Sequence, residues 1–416
     1  MLMLTKTPTD PVFPFLAQAL DRDAIARAFD AALSASGFAT QALACTIQRS
    51  RVKRGGKAII GIRLRGRAAD GQPIDQLCMV ALFPNGDAAA LPDMSNGTEL
   101  VSPGFGPPTL DLPEIAGRAW FFPNDRKVHH IARLIADKPG QVEIVHYVPE
   151  QGCTVRVTQD GGQVLFGKCR ADDRGAVAGK IFAEASDSDG VRLAPTLSHD
   201  GGHRIVWQKE IAGKPLEPTD VCTRPHYWAS RIASALSAFH GLAAPRGLKR
   251  LTYDSIGTTV EKRIGRMAES IPNFALRLQR VAGQLRTLRP EPAALVLTHG
   301  DMHAGNLLWD GTSFALIDLD TAALGPCALD HGTLAATLVH KAIEADARDS
   351  DISAMLGKLR IAARDEIGND AAFDWCVAAS LVGERLYRCT TRLKSPRLMV
   401  RERLLAQVEQ LVMCHA

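Results

Sequence analysis

The stretch "LVLTHGDMHAGNLLWDGTSFALIDLD", residues 295–320, constrains this chain more than any other. It sets His299, Asp301, His303, Asn306, Asp318 and Asp320 among short apolar runs. "LLW" and "FALI" read as the strands of a hairpin, and "DGTS" as its turn. If Trp309 pairs with Phe314, the antiparallel register sets Asn306 opposite Ile317, and Asp318 falls beside Asn306. Opposed Cβ atoms on such a ladder lie roughly 4.5–5.5 Å apart. An amide oxygen and a carboxylate that close suit a hard cation such as Mg²⁺, which takes oxygen ligands and keeps water and phosphate in its other positions. Asp301, in the loop entering the hairpin, can face the same space without binding the metal. Gly300 and Gly305 let the backbone turn around it. One aspartate for a hydroxyl, with an asparagine and an aspartate on a metal, makes a phosphoryl-transfer arrangement. His299 and His303 also have the spacing of a metal-hydrolase pair. The glycines of "HGDMHAGN" do not suit the helix such a pair needs.

The rest of the chain bounds the fold. Its 416 residues exceed one ordinary core, so two or three packed units are expected. A net charge of +4 with dispersed basic residues and 6% aromatics gives no reason to invoke nucleic acid or a membrane surface as partner. "MLMLTKTPTDPVFPFL" is broken by Lys6, Pro8, Pro11 and Pro14 and does not read as a signal peptide. There is no run of about 18 apolar residues to span a membrane. Nine scattered cysteines without a CxxC pair argue against a disulfide framework and for a reducing, cytoplasmic setting.

The periodicities divide the chain. Residues 15–37 read as a helix ending at Gly37. "ACTIQRSRV", "AIIGIRLRG" and "IDQLCMVALF" follow as an antiparallel meander, then a long surface connection over 84–114. Residues 128–138 read as a short helix. "QVEIVHYV", "CTVRVTQ", "GGQVLFGKC" and "RIVWQKEI" make a second β region, interrupted by a helical stretch near 175–185. Beyond 213 the pattern is mostly helical, apart from the hairpin. The expected fold class is therefore α+β: a cap over 1–140, a β-rich lobe over 141–212 and a helical lobe over 213–416.

The motif "HGDMHAGNLL…LIDLD", continued by "GPCALDHGTL", resembles the aminoglycoside phosphotransferase and choline kinase family of the protein-kinase-like superfamily. "YVPEQGCTVRV" followed by "VLFGKC" is loosely similar to its maltokinase-like branch, although Glu150 and Gln151 stand where that branch usually has arginines. The resemblance implies a bilobal kinase-like fold that uses ATP and Mg²⁺. Asp301 would be the catalytic base, and Asn306 and Asp318 the metal ligands. His299 would brace the loop, and His303 would sit near the phosphate path. Asp320 would line the acceptor pocket or a second metal site, and Asp330 would cap its helix and tie it to the loop.

Such an enzyme needs a lysine for the nucleotide phosphates. Lys168 ends an apolar strand and fits, with Glu184 as its ion-pair partner. Backbone groups around Gln208, Glu210 and Ile211 would meet the adenine. The phosphate-covering hairpin would be "YVPEQGCTVRV", which carries only Gly152. In the C-terminal region Arg385, Arg388 and Arg392 share one helical stripe, an acceptor contact or a solvated face. That stripe and a pI near 8.6 lean away from a polycationic acceptor and toward a sugar or small alcohol. The expected activity is transfer of the ATP γ-phosphate to such a hydroxyl. A catalytically weak, pseudokinase-like nucleotide-binding protein is the alternative.

Overall fold

The computed structural model describes residues 10–53, 56–88, 100–138, 141–159, 161–172, 190–201, 204–391 and 400–413. The region read as one helix over 15–37 is two. Asp21 stops the short turn Leu16–Ala19 and caps the helix Arg22–Ala35, its carboxylate accepting from the Asp23 and Ala24 amides. Strands β1 (Thr40–Lys53), β2 (Lys57–Ala68) and β3 (Pro73–Leu82) form the expected meander. Two more strands, β4 (Thr109–Leu112) and β5 (Gly117–Phe121), extend it to the order β1-β2-β3-β5-β4. β4 lies inside the stretch expected to be a surface connection. Four residues between prolines carry little periodic signal, and pairing with β5 makes them a strand at the sheet edge. Phe29, Leu33, Ile60, Ile62 and Phe121 join the helix Arg22–Ala35 to this sheet in one core.

After the helix His130–Asp137 comes a second antiparallel sheet, ordered β10-β11-β8-β7-β6. Its strands are β6 (Val142–Val148), β7 (Gly152–Thr158), β8 (Val164–Arg170), β10 (Thr196–Asp200) and β11 (Ile205–Lys209). On β8, Leu165, Gly167 and Cys169 point inward, so the two-residue period puts Lys168 and Arg170 together on the opposite face.

The remainder is helical around one large core, with main helices Pro225–His240, Tyr253–Ser270, Ala275–Thr287, Ala328–Glu344, Asp349–Ile367, Asp370–Ser380 and Arg401–Met413. Short strands are set into it. β9 (Arg192–Leu193) and β12 (Lys214–Pro215) flank the hairpin β14 (Leu307–Trp309) and β15 (Phe314–Leu316), and β13 (Val296–Thr298) pairs with β16 (Ala323–Gly325). The architecture is α+β, with a β-rich part and a helical part. Among the described residues no helix is long and apolar enough to cross a membrane.

Candidate active site

The hairpin has the register its sequence implied. Trp309 faces Phe314, Leu307 faces Leu316, and the Ile317 amide donates to the Asn306 carbonyl at 3.1 Å. Trp228 packs edge-on against Trp309 and holds the hairpin on the helix Pro225–His240. At the end of β15 the chain turns at Asp318, which adopts the left-handed conformation at φ 67°, one that aspartate tolerates better than most residues. Gly300 also has positive φ, 77°, and a Cβ there would meet the Thr321 carbonyl oxygen at 2.4 Å. That turn therefore needs glycine.

The loop before the hairpin is held by buried polar groups. Asp330 accepts from the His299 and Gly300 amides at 2.6 and 3.0 Å. It lies inside the first turn of its helix and ties the loop, but the helix N-cap is Cys327, so the expected capping role does not hold. The His299 ring meets the Ile317 carbonyl at 2.9 Å and bridges loop to hairpin. His240 lies between Asp330 (3.2 Å) and Glu366 (2.6 Å), and His331 also meets Glu366 at 2.8 Å. Burial opposes a charge on His240, but the two carboxylates outweigh it and lift its pKa to about 9. The ligand atoms of His240, His331 and Glu366 are close enough for a metal. Yet both nitrogens of His240 are engaged by carboxylates, and hydrogen bonding accounts for the cluster.

On the open side the predicted residues converge. The Asn306 amide nitrogen donates to the Asp301 carbonyl at 3.2 Å, which leaves its amide oxygen turned the other way. Lys168 Nζ meets Asp318 Oδ1 at 2.9 Å. Burial pushes the Asp318 carboxyl up, but Lys168 prevails and holds it below the usual range. His303 is half-buried, and burial pulls its imidazole below the ordinary value, with Asp301 opposing and Arg385 assisting that pull. The donor set fits a hard cation: a half-exposed carboxylate at Asp318 and an amide oxygen at Asn306 are both oxygen ligands.

Asp320 is buried against Arg170, 3.3 Å away, rather than joined to the Asp301 group. Because β8 alternates, Lys168 and Arg170 meet Asp318 and Asp320 as two ion pairs in step. Arg170 was missed, although its two-residue spacing from Lys168 was a readable signal. Glu184 and Arg392 lie outside the described residues. Gln208 is buried on β11, paired with Phe166 and Thr196. The Glu210 amide donates to Val164 at 3.2 Å, so it is spent in the sheet, while Ile211 packs at the edge of the helical core. The turn of the expected phosphate hairpin faces the first sheet instead. Its Glu150 is fully buried and bound by Lys57, Arg126 and Arg51.

Arg385 and Arg388 do come to Asp301. Their Nη2 atoms lie 3.7 and 3.6 Å from its Oδ1. The expected even stripe is broken by a π-helical turn, Leu381–Leu386, followed by the helical turn Tyr387–Thr391. Glu384 bridges Arg388 and Arg263, both at 2.7 Å. The helical turn touches β1, so the first sheet reaches the Arg388 side of the site.

Residues 182–357 match the family profile described as "APH: Phosphotransferase enzyme family". That part of the chain is similar to this phosphotransferase family. The matched span contains Asp301, Asn306 and Asp318, begins after Lys168 and ends before Arg385. Solved structures similar to the chain include a thermostable mutant of the aminoglycoside phosphotransferase APH(4)-Ia in ternary complex with ADP and hygromycin B. It shows 12% identity, covers 68% of this chain and 98% of that one, and gives a TM-score of 0.49. A macrolide 2′-phosphotransferase from Brachybacterium faecium gives 15% identity, 68% and 97% coverage, and 0.43. A choline/ethanolamine kinase family protein from Mesorhizobium loti gives 18%, 67% and 95%, and 0.44. Comparison with curated proteins returns no match.

Proposed function

We propose that this chain is a small-molecule phosphotransferase that moves the γ-phosphoryl group of Mg²⁺-ATP to a hydroxyl of a sugar or small alcohol. The observation that carries the reading is the meeting of Lys168, from the middle strand of one sheet, with the Asp301–Asn306–Asp318 constellation of a hairpin in the helical part. Asp301 is the group that accepts or orients the acceptor proton, on a loop fixed by Asp330 and His299. Lys168 binds phosphate oxygens, and its ion pair with Asp318 keeps the ammonium in the site before nucleotide arrives. Asn306 and Asp318 would hold Mg²⁺, which when bound neutralises phosphate charge. Positioning and charge compensation supply most of the rate in such transfers. In this reading residues 141–212 are the nucleotide side, 213–416 the acceptor side, and 1–140 a cap. The eight described cysteines form no disulfide with one another, which fits the proposed cytoplasmic setting.

Calorimetry with Mg²⁺-ATP, paired with ADP release over a panel of hydroxyl acceptors, tests the reading. Wild-type protein binds the nucleotide, and Asp318→Ala weakens binding at least about tenfold, the loss of one charge-assisted contact. Absence of nucleotide binding by the wild type would sink it. Binding without turnover on any acceptor would favour the pseudokinase-like alternative, to which the buried Glu150 turn already lends support.

A further inference from the structure

The side chain of Arg385 is only 7% exposed, yet its Nε and Nη2 have no hydrogen-bond acceptor among the described residues. Buried donors normally find partners, and a buried guanidinium without one is costly. The carboxylate within 4 Å of Arg385 among the described residues is that of Asp301, and 3.7 Å is too long for a hydrogen bond. Asp301 thus offsets charge without satisfying the donors. Glu384 cannot serve Arg385 either, because Arg263 and Arg388 occupy it. Among the described residues three guanidiniums, Arg263, Arg385 and Arg388, share two carboxylates, Asp301 and Glu384, and one positive charge is left over. Burial, and then Arg388, pull the Arg385 guanidinium below its ordinary pKa, as expected of a cation short of an anion. The π-helical turn adds a residue to the helix just where Arg385 enters the interior, and such turns cluster at functional sites. A purely structural arginine would spend its donors on a carboxylate within reach, as Arg126 does on Glu150.

We infer that the acceptor carries an anionic group, a carboxylate or a phosphate, close to its reacting hydroxyl, and that Arg385 and Arg388 grip that group beside Asp301. A guanidinium pair suits planar or tetrahedral oxyanions, which accept two N–H donors at once. This rests on the reading of Asp301 as the residue that meets the acceptor hydroxyl. The geometry places hydroxyl and anion within one small molecule: a hydroxy acid, sugar acid or sugar phosphate. A polycationic acceptor would meet repulsion at the same point.

The test is calorimetry in saturating Mg²⁺-ADP, with glucose, glucosamine, glucuronate and glucose 6-phosphate, then glycerol, glycerate and glycerol 3-phosphate. Within at least one series the anionic members bind at least tenfold more tightly than the neutral or cationic ones, and the sugar acid against the sugar phosphate separates carboxylate from phosphate. Arg385→Gln and Arg388→Gln each weaken anion binding at least tenfold, with Arg385→Lys recovering part of it. The half-exposed Arg388 guards against a folding defect at Arg385. Equal or better binding of glucose, glucosamine or glycerol overturns the inference. So does failure of every anion to bind, or anion binding indifferent to both substitutions. Replacing ADP with ATP separates the two readings. Anion binding without ADP release keeps the anion site and removes the phosphotransferase. ADP release with neutral acceptors only keeps the phosphotransferase and removes the anion site.

Discussion

Glu150 and Asp301 are both carboxylates set among cations, and they are built in opposite ways. Glu150 has no exposed side-chain surface, and Lys57, Arg126 and Arg51 all reach it. Burial pushes its carboxyl up, but the cations outweigh that and hold it below the usual range. Its backbone amide is also bound, by the buried Asp125 that accepts from the Tyr147 hydroxyl. Asp301 has a side chain 37% exposed, with two guanidiniums near it and neither within hydrogen-bond reach. The saturated carboxylate joins the first sheet to the second, and both its oxygens are already taken. The unsaturated one keeps its oxygens and the donors beside it in hand, which a binding site needs and a structural joint does not.

The largest expected effect is on rate at Asp301. Asp301→Asn removes the proton acceptor and lowers turnover by roughly 10²–10⁴-fold. Its effect on stability stays within about 1 kcal/mol, because a partly exposed carboxylate interacts through solvent. An ADP-release assay and a urea melt read the two quantities. Glu150→Gln reverses the pattern, costing about 3 kcal/mol by leaving several cations around a neutral side chain, with turnover per folded molecule within about twofold, since changes remote from the site seldom reach the barrier. If Asp301→Asn destabilised as much as Glu150→Gln, or left turnover intact, the contrast would collapse.

A smaller effect sharpens it. His240 is a cation saturated by two carboxylates beneath the Asp301 loop. Its folded pKa of about 9 lies above its ordinary 6.5, so the stabilisation is complete below pH 6.5 and drains away as pH rises through 9. Each tenfold gain in proton affinity on folding is worth about 1.4 kcal/mol, so up to roughly 3 kcal/mol is at stake, less what the carboxylates recover by relaxing. Wild-type stability should fall between pH 6.5 and about 9.5 as this proton is lost, and His240→Gln should flatten that part of the profile. An unchanged profile would remove His240 from the buttress.

Legibility followed the range of the interactions. The hairpin 307–316 and the side-by-side placement of Asn306 and Asp318 came from a two-residue period and one turn, which neighbouring residues set among themselves. The face of Lys168 was equally local. The helix broken at Asp21 was hidden because an apolar period runs on through a cap, and β4 was hidden because so short a strand owes its existence to β5. The Lys168–Asp318 pair spans 150 positions and no local signal announced it; the partner expected for Lys168 was Glu184. Glu150 read as part of a phosphate hairpin because nothing in its own stretch of chain reveals Lys57 or Arg126.

The sequence by itself determined the order and local geometry of the Asp301, Asn306 and Asp318 positions, since apolar alternation, glycines and turn residues act over a few bonds. The tertiary structure alone decided which charges are satisfied. Glu150 is closed by cations 24 to 99 positions away, and Asp320 is claimed by Arg170. Arg385 is buried beside Asp301, with donors that no described residue accepts from. Satisfaction of a buried charge depends on distance and desolvation in three dimensions, and neither is written in the spacing of residues along the chain.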